Sequence, residues 1–292
     1  MSTAYENDVT RFNDLRPLVK RISANQAAHE TDTYAGRSLA TVFADEIAGY
    51  SDVWAWLRAR VRAGNFERIR IGDWIDVLLT GENQTVRYLV GAVDPYYQCA
   101  DQSKGHHIAM VPKTPVVVND AEWQTTSGTY LYWASEDHAN NNGTAEQAAP
   151  YLVSNLHEWE TDVYYPKLPD AVKAVILNQR MLLETRYSSS GLLTDSTSWS
   201  WLDMGPVWSL SETEVYGQCV WGTKAYSVGL DCHFPLFRLS KDRLQGSRIG
   251  WWLRSVASGS SSGACCVGSG GGAASYSVRY AWFRPRPCFL VG

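Results

Sequence analysis

The sequence predicts an α+β fold with an antiparallel sheet. Three observations carry the prediction. Two stretches, beginning at Arg37 and at Pro150, place apolar residues at helical spacing. Around them lie short runs of β-branched and aromatic residues bounded by turn chemistry. The connections are long and polar, and one near the C-terminus is almost entirely Ser, Gly, Ala and Cys. Helices set among many short strands and long loops argue for α+β. Loops of this length are usually functional or disordered.

Residues 1 to about 34 are polar and lack apolar periodicity, which predicts an arm or tail. From Arg37, the residues Leu39, Val42, Phe43 and Ile47 fall on one helical face. Gly49-Tyr50 interrupts. Ser51 or Asp52 is placed to cap a second helix carrying Val53, Trp54, Leu57 and Val61, and Gly64 sits where a glycine ends such a helix. These elements make a helical N-terminal segment, 1–66, before a main domain over 67–292. The helical pair either packs on that domain or mediates oligomerisation.

Arg68 to Leu79 and Thr85 to Val93 read as a β-hairpin around Gly81-Glu82-Asn83, with a break at Gly72-Asp73 and a stop at Asp94-Pro95. Val116-Val117-Val118 is a short apolar run, and 138–144 (HANNNGT) is a loop. Pro150 opens a helix with a stripe of Leu152, Leu156, Trp159 and Val163. Pro166 to Asp170 breaks it, and a short helix with Val172, Val175 and Ile176 follows. Met181 to Tyr187 reads as a strand, Ser188 to Ser200 as a loop and Val207-Trp208 as a short buried strand. Ser209 with Glu212, and Ser211 with Glu214, each match a capping box before a helix ending near Gly217. Arg248 to Ser255 reads as a strand with paired tryptophans.

Composition bounds the function. At 292 residues and 45% hydrophobic, the chain has ample material for a core. It has 13 Trp and 16 Tyr against 7 Phe, a bias towards side chains with an apolar body and a polar tip, as in binding surfaces. The net charge of -4 provides no global field for nucleic acid. Locally the C-terminal part is basic: after Asp242 the only charged residues are Arg243, Arg248, Arg254, Arg279, Arg284 and Arg286. No nucleic-acid partner is expected, although arginines and aromatics interleave from Tyr276 to Arg286. No apolar run approaches a membrane span, and the opening MSTAYENDVTRFND lacks the layout of a signal peptide. Synthesis in a cytosol is expected.

Several weak signals carry no chemistry. Cys99, Cys219, Cys232, Cys265, Cys266 and Cys288 show no CxxC pair and no zinc spacing, so free thiols are expected. Gly268 to Ala273 is glycine-rich but is not followed by Lys-Ser/Thr, so it is no phosphate loop. His106-His107 and His138 lack ligand spacing and read as solvated loop residues. Asp101 and Asn140-Asn141-Asn142 lack the dense acidic alternation of a calcium loop. No metal and no cofactor are expected. Asn83-Gln84-Thr85 and Asn142-Gly143-Thr144 match the glycosylation pattern only incidentally, given the missing signal peptide.

The remaining feature is the segment 251–292. It opens Trp251-Trp252-Leu253-Arg254-Ser255 and closes Trp282-Phe283-Arg284-Pro285-Arg286-Pro287-Cys288-Phe289, with the Ser/Gly/Ala/Cys tract between. A flexible linker of that composition would join two domains, and nothing but its own closing segment follows it here.

Four pieces together resemble one family: Tyr151-Leu152 through Trp159, Leu168-Pro169 and Ile176; Val207-Trp208-Ser209-Leu210-Ser211-Glu212 through Gly217; Pro235-Leu236-Phe237; and the WWLRS … RPCF frame. They resemble the C-type-lectin-fold proteins of bacteria and phages with a hypervariable C-terminal segment, the targets of diversity-generating retroelements. The resemblance covers roughly residues 68 to 292, and its most specific part is the frame. It implies a C-type lectin-like fold with short antiparallel strands, two main helices and long loops. It also implies diversification at adenines of a template, mostly in asparagine codons, which yields Ser, Gly, Ala, Cys, Tyr, Arg and Val but not Lys, Glu, Gln, Met or Trp. After Trp252 the chain has none of these five types except Trp282.

The implied function is non-enzymatic recognition of a protein or glycan on a bacterial surface. The implied variable surface comprises Ser260, Ser261, Ser262, Ala264, Cys265, Cys266, Ser269, Gly271, Ala274, Ser275, Tyr276, Arg279, Tyr280 and Phe283. Its scaffold is Trp251, Trp252, Leu253 and Phe289, with Arg254 and Arg286 bonding loop carbonyls. Tyr276, Arg279 and Tyr280 are the expected binding anchors. Small residues elsewhere imply weak binding per site, offset by avidity on a homo-oligomer or virion attached through the N-terminal segment. The tract is therefore expected to be ordered, in short strands and tight loops. Enzymes that oxidise cysteine share this fold family, so a cysteine-dependent oxidoreductase of formylglycine-generating-enzyme-like fold, using Cys265-Cys266, is the rival reading. No base or thiolate-stabilising group is recognisable beside that pair in the sequence.

Overall fold

Phe289-Leu290-Val291, the last apolar run of the chain, lies inside the largest sheet. The computed structural model describes residues 36–97, 104–135, 139–224, 232–244 and 248–292. The expected arm over residues 1 to 34, Cys99, Asp101 and His138 lie outside the described residues. The first sheet contains β1 (Trp74–Leu78), β2 (Thr85–Val93), β3 (Ile108–Pro112), β4 (Ile176–Leu177) and, between β3 and β4, the strand Phe289–Val291. All its pairings are antiparallel. β3 and Phe289–Val291 are buried at every position, which is why both are unbroken apolar runs rather than alternating ones.

The predicted hairpin forms with Trp74 opposite Leu89 and Leu78 opposite Thr85. Its exposed face is organised by Arg87, whose guanidinium lies 3.5 Å from the Trp74 ring centroid and pairs with Asp76 at 2.8 Å. The helix Val53–Arg62 covers part of the sheet. Of the two candidate caps, Ser51 and Asp52, it is Asp52 that caps it, its carboxylate accepting from the N–H groups of Trp54 and Ala55 at 2.8 and 2.9 Å. Trp54, Trp56, Leu57 and Val61 are buried in the same apolar cluster as the sheet, and the Trp54 ring packs on Phe289. The helical pair therefore packs on the main body. The stretch before it forms two single turns, Leu39–Val42 and Ala44–Ile47, rather than one helix.

The stripe beginning at Pro150 is also not one α-helix. It runs as a 3-10 turn (Pro150–Val153), an α-turn (Asn155–Glu158), a π-helical segment (Trp159–Tyr164) and a 3-10 turn (Tyr165–Lys167). Ser154 caps the α-turn in mid-stripe, its hydroxyl accepting from the N–H of His157, and Pro166 closes the run. Two further strands, β5 (Gln179–Thr185) and β6 (Ser198–Gly205), pair as a hairpin, so the end of the expected loop 188–200 is strand. Of the two possible capping boxes the chain uses Ser211 with Glu214, and the helix Glu212–Tyr216 ends at Gly217 in the left-handed region, φ 77°.

The third sheet consists of β7 (Trp251–Val256), β8 (Gly263–Val267) and β9 (Ala273–Ser277), all antiparallel. Residues 283–288 then lead from this sheet to the first, bonding on the way: Leu131 N–H to Phe283 O, Val116 N–H to Pro285 O and Trp208 in a bridge with Cys288. The last strand, β10, is Phe289–Val291. The architecture is α+β, with antiparallel sheets and few helices.

Candidate ligand-binding surface on the C-terminal segment

The frame residues form a buried platform. Trp251, Trp252, Leu253, Arg286 and Phe289 are fully buried and Arg254 nearly so. The indole N–H groups find carbonyls: Trp251 donates to Arg243 O (3.2 Å) and Trp252 to Leu131 O (2.8 Å). Arg286 donates to the carbonyls of Pro112 (2.9 Å) and Lys113 (3.2 Å) and stacks on Trp251 and Phe237. Burial lowers its pKa to about 10. Arg254 reaches the carbonyl of Ser209 (3.0 Å), as expected, but its main partner is Glu214, gripped by both guanidinium nitrogens at 2.6 and 3.0 Å. Glu214 also receives Tyr96 O–H and the N–H of Ser211.

Above this platform the small-residue tract is ordered, and groups outside it hold its backbone. Asn141, fully buried, donates through its amide to the carbonyls of Ser260 (2.7 Å) and Gly263 (2.6 Å), and its N–H donates to Ser261 O. Arg186, also fully buried, donates to Ser260 O at 3.0 Å. Asp195 accepts the hydroxyl of Ser258 and the N–H of Gly259. At the hairpin tip, Arg243 and Tyr216 both donate to Gly271 O. The fully buried Glu212 accepts N–H groups of Val220, Trp221 and Gly222, and the Trp221 indole in turn donates to Ala273 O at 3.2 Å. None of these bonds to the tract depends on a tract side chain except that of Ser258.

The surface this leaves is a patch of small residues flanked by rings. Ser262, Ser269, Tyr276, Ser277, Arg279 and Trp282 are exposed, and Ser260, Ser261, Ala274, Ser275 and Tyr280 are half-buried. Tyr276 packs tilted on Tyr280 (4.5 Å) and edge-on against Phe283 (5.1 Å), and Phe283 meets Trp252 edge-on at 4.8 Å. A ladder of rings thus runs from the surface to the platform. Trp282 is 55% exposed and meets the Tyr130 ring at 5.5 Å.

Residues 110–292 match the model of a family described as a domain of unknown function, DUF6273. The chain belongs to the DUF6273 family. Neither a curated protein nor a solved structure matches it. The DUF6273 match begins in β3 and takes in the whole third sheet and every residue named above as holding it, while the N-terminal helices and the β1–β2 hairpin lie before it.

Five expected surface positions of the DUF6273 domain are not on the surface. Ala264, Cys265 and Cys266 are fully buried because β8 is the central strand and both of its faces are covered. Phe283 is 5% exposed, since it is the ring joining Tyr276 and Tyr280 to Trp252. Gly271 is buried at φ 78°, where an added Cβ would come within 3.0 Å of Leu244. The other nine expected positions, together with Ser277 and Trp282, are exposed or half-buried.

The buried thiols are poor nucleophiles. Burial, reinforced by Glu212 and Glu184, pushes the Cys265 thiol well above the ordinary range, and burial likewise raises Cys266. Cys265, Cys266 and Cys288 are free thiols. A cavity of about 40 Å³ lies beside this sheet, lined by Tyr151, Glu184, Thr213, Cys219, Arg254 and Ser255. It is water-sized, far below the volume of an organic substrate pocket. Among the described residues no group of three or more His, Cys, Asp or Glu is placed to hold a metal. His107 is buried rather than solvated: its Nδ1 meets Gly105 O and its Nε2 accepts from Tyr96 N–H. His106 pairs with Asp94 at 2.6 Å. Among the described residues no helix is long and apolar enough to cross a membrane.

The residues the sequence reading missed are Asn141, Arg186, Asp195, Glu212 and Glu214. Asn141 stands in an Asn-rich loop that looks solvated, and its partners lie 119 and 122 residues away. The available signal was only that a Ser/Gly tract can be ordered if buried polar groups elsewhere satisfy its carbonyls.

Proposed function

We propose that this chain is a ligand-binding protein of C-type lectin-like fold, encoded by a phage or prophage, whose C-terminal surface is diversified by a retroelement. The ligand is a protein or glycan on a bacterial surface. One observation carries the reading: the backbone of the small-residue tract is fixed by Asn141, Arg186, Arg243 and the Trp251-Trp252 platform, while its outward side chains take almost no part. A surface built this way accepts many side chains at constant backbone geometry, which diversification requires. Display in many copies on a virion raises the avidity of a patch of mostly small side chains.

Two experiments test this. Sequencing the surrounding genome should find a reverse transcriptase and a near-copy of the segment differing only at adenines. Sibling copies should vary at exposed positions such as Ser262, Tyr276 and Arg279 and keep Ala264, Cys265, Cys266 and Phe283. Variation confined to other parts of the chain would overturn the assignment. Labelled protein should also bind a bacterial surface, and a Tyr276→Ala/Trp282→Ala double variant should lose most of that binding while keeping its melting temperature.

A further inference from the structure

We propose that the outer edge of β9 takes up an extended strand of the ligand, so that the ligand is a protein engaged at an acidic segment. This rests on the binding-surface reading above and narrows it. Gly268 N–H donates to Gly272 O at 2.9 Å, and Val278 N–H donates to Ser262 O at 2.9 Å. These bonds bracket the β8–β9 ladder, whose register places Cys265 opposite Ser275. Bonded and non-bonded pairs alternate along an antiparallel ladder. Ala274 and Tyr276 therefore turn their backbone groups toward β8, and Ala273, Ser275 and Ser277 turn theirs outward. The strand ends agree with this assignment: Ala273 O receives the Trp221 indole and Ser277 O receives the N–H of Tyr280 at 2.8 Å. Between these two capped carbonyls, the N–H and C=O of Ser275 face outward, and β8 is the only strand paired with β9 among the described residues.

An open edge normally carries a device against pairing, such as a proline or an inward-pointing charge. The sequence of β9, Ala-Ala-Ser-Tyr-Ser, has neither. Its side chains are small except Tyr276, so a second backbone can approach to the ordinary strand spacing of about 4.8 Å. Exposed Trp221 and Tyr276 flank the site and offer apolar cover. Charge selects the occupant further. Arg279, just past the strand, is exposed, whereas Arg254 and Arg286 are buried in the platform. An acidic strand complements this and a basic one opposes it. A glycan has no row of amides matching the two-residue repeat of a strand edge. Main-chain bonds also do not depend on the side chains β9 carries, so a diversified surface keeps a constant share of its affinity whatever residues it displays.

The probe is a random dodecapeptide display library panned on the full chain. Enriched peptides should alternate β-branched residues with Asp or Glu. For one such synthetic peptide, Ser275→Pro should weaken binding about tenfold or more, the scale of losing an edge hydrogen bond and admitting a ring. Ser275→Ala, which keeps the N–H and loses only the hydroxyl, should weaken binding several-fold less than Ser275→Pro. Both variants should keep the wild-type circular dichroism, because the Ser275 N–H does not pair with β8 and proline is tolerated on an edge. N-methylation of alternate peptide nitrogens should abolish binding in one register only. Failure to enrich any peptide, or equal binding to Ser275→Pro, overturns the proposal. Glycan-array binding that is lost in Tyr276→Ala would overturn it while leaving the binding surface intact. Loss of neither peptide nor glycan nor cell binding on changing Tyr276 and Trp282 would sink both readings.

Discussion

The β1–β2 hairpin and the β8–β9 hairpin have the same topology and are held in opposite ways. β1–β2 carries its own glue: alternating burial, an Asp76–Arg87 pair across the strands and a guanidinium on Trp74. β8–β9 has a buried central strand of Gly, Ala, Cys and Val and an edge strand of Ala, Ser and Tyr. Its order comes from elsewhere, through Asn141, Arg243 and Tyr216 on its carbonyls, Arg186 on the carbonyl of Ser260 just before it, and Trp252 of β7 paired alongside Cys266. A hairpin that holds itself constrains its own sequence. One that is held by the rest of the protein transfers the constraint to those outside groups and leaves its exposed side chains free to change.

The largest effects should therefore follow from changes outside the tract. Arg254→Met leaves Glu214 buried without its guanidinium and should cost about 3–5 kcal/mol in a urea titration. A cost under about 1 kcal/mol would mean that the platform does not rely on this pair. Next in size is a pH effect in the same network. Glu160 is fully buried, and burial raises its pKa to about 7 against hydrogen bonds from Ser209 and Tyr151 that lower it. The unfolded carboxyl titrates near its ordinary 4.5. Between these values the folded state binds more protons, so stability falls as pH rises from about 4.5 to about 7. The loss is on the order of 3 kcal/mol, and Glu160→Gln should flatten it. Melts at a series of pH values measure both, and an unchanged slope in Glu160→Gln would assign the effect to another group.

Asn141→Ala should cost about 2 kcal/mol, because the carbonyls of Ser260 and Gly263 lose a buried donor. It should also raise hydrogen exchange in residues 258–263. The matching change in the self-held hairpin, Asp76→Ala, breaks a pair in which both side chains are more than a third exposed and should cost less than about 1 kcal/mol. Smallest of all, single changes at Ser262, Ser269 or Arg279 should stay within about 0.5 kcal/mol. If Ser262→Tyr cost as much as Asn141→Ala, the contrast between the two hairpins would fail.

How far the sequence revealed this depends on the range of the interactions. Local signals carried well. The β1–β2 hairpin followed from Gly81-Glu82-Asn83, and the starts of the helices at Val53 and Glu212 were each narrowed to two candidates, of which Asp52 and the Ser211–Glu214 box are used. The paired tryptophans pointed to a buried platform, because tryptophan is highly buried on average. The stripe after Pro150 misled in detail: its apolar residues sit at helical spacing, but Ser154 restarts the helix and a π-segment follows. The site was legible only in outline. Small residues look alike whether they line a surface or fill a covered central strand, so Ala264, Cys265 and Cys266 could not be separated from Ser262 or Ser275. Asn141 and Arg186 act on carbonyls far away in the chain, and no periodicity records such a bond.

The most direct test of the central claim compares two libraries in the full chain. One randomises Ser260, Ser261, Ser262, Ser269, Ser275, Tyr276 and Arg279. The other randomises Ala264, Cys265, Cys266 and Phe283. Each is scored by the fraction of members resistant to protease at a concentration that digests the unfolded chain. Most of the first library should stay folded and most of the second should not. Equal survival of the two libraries would contradict the claim.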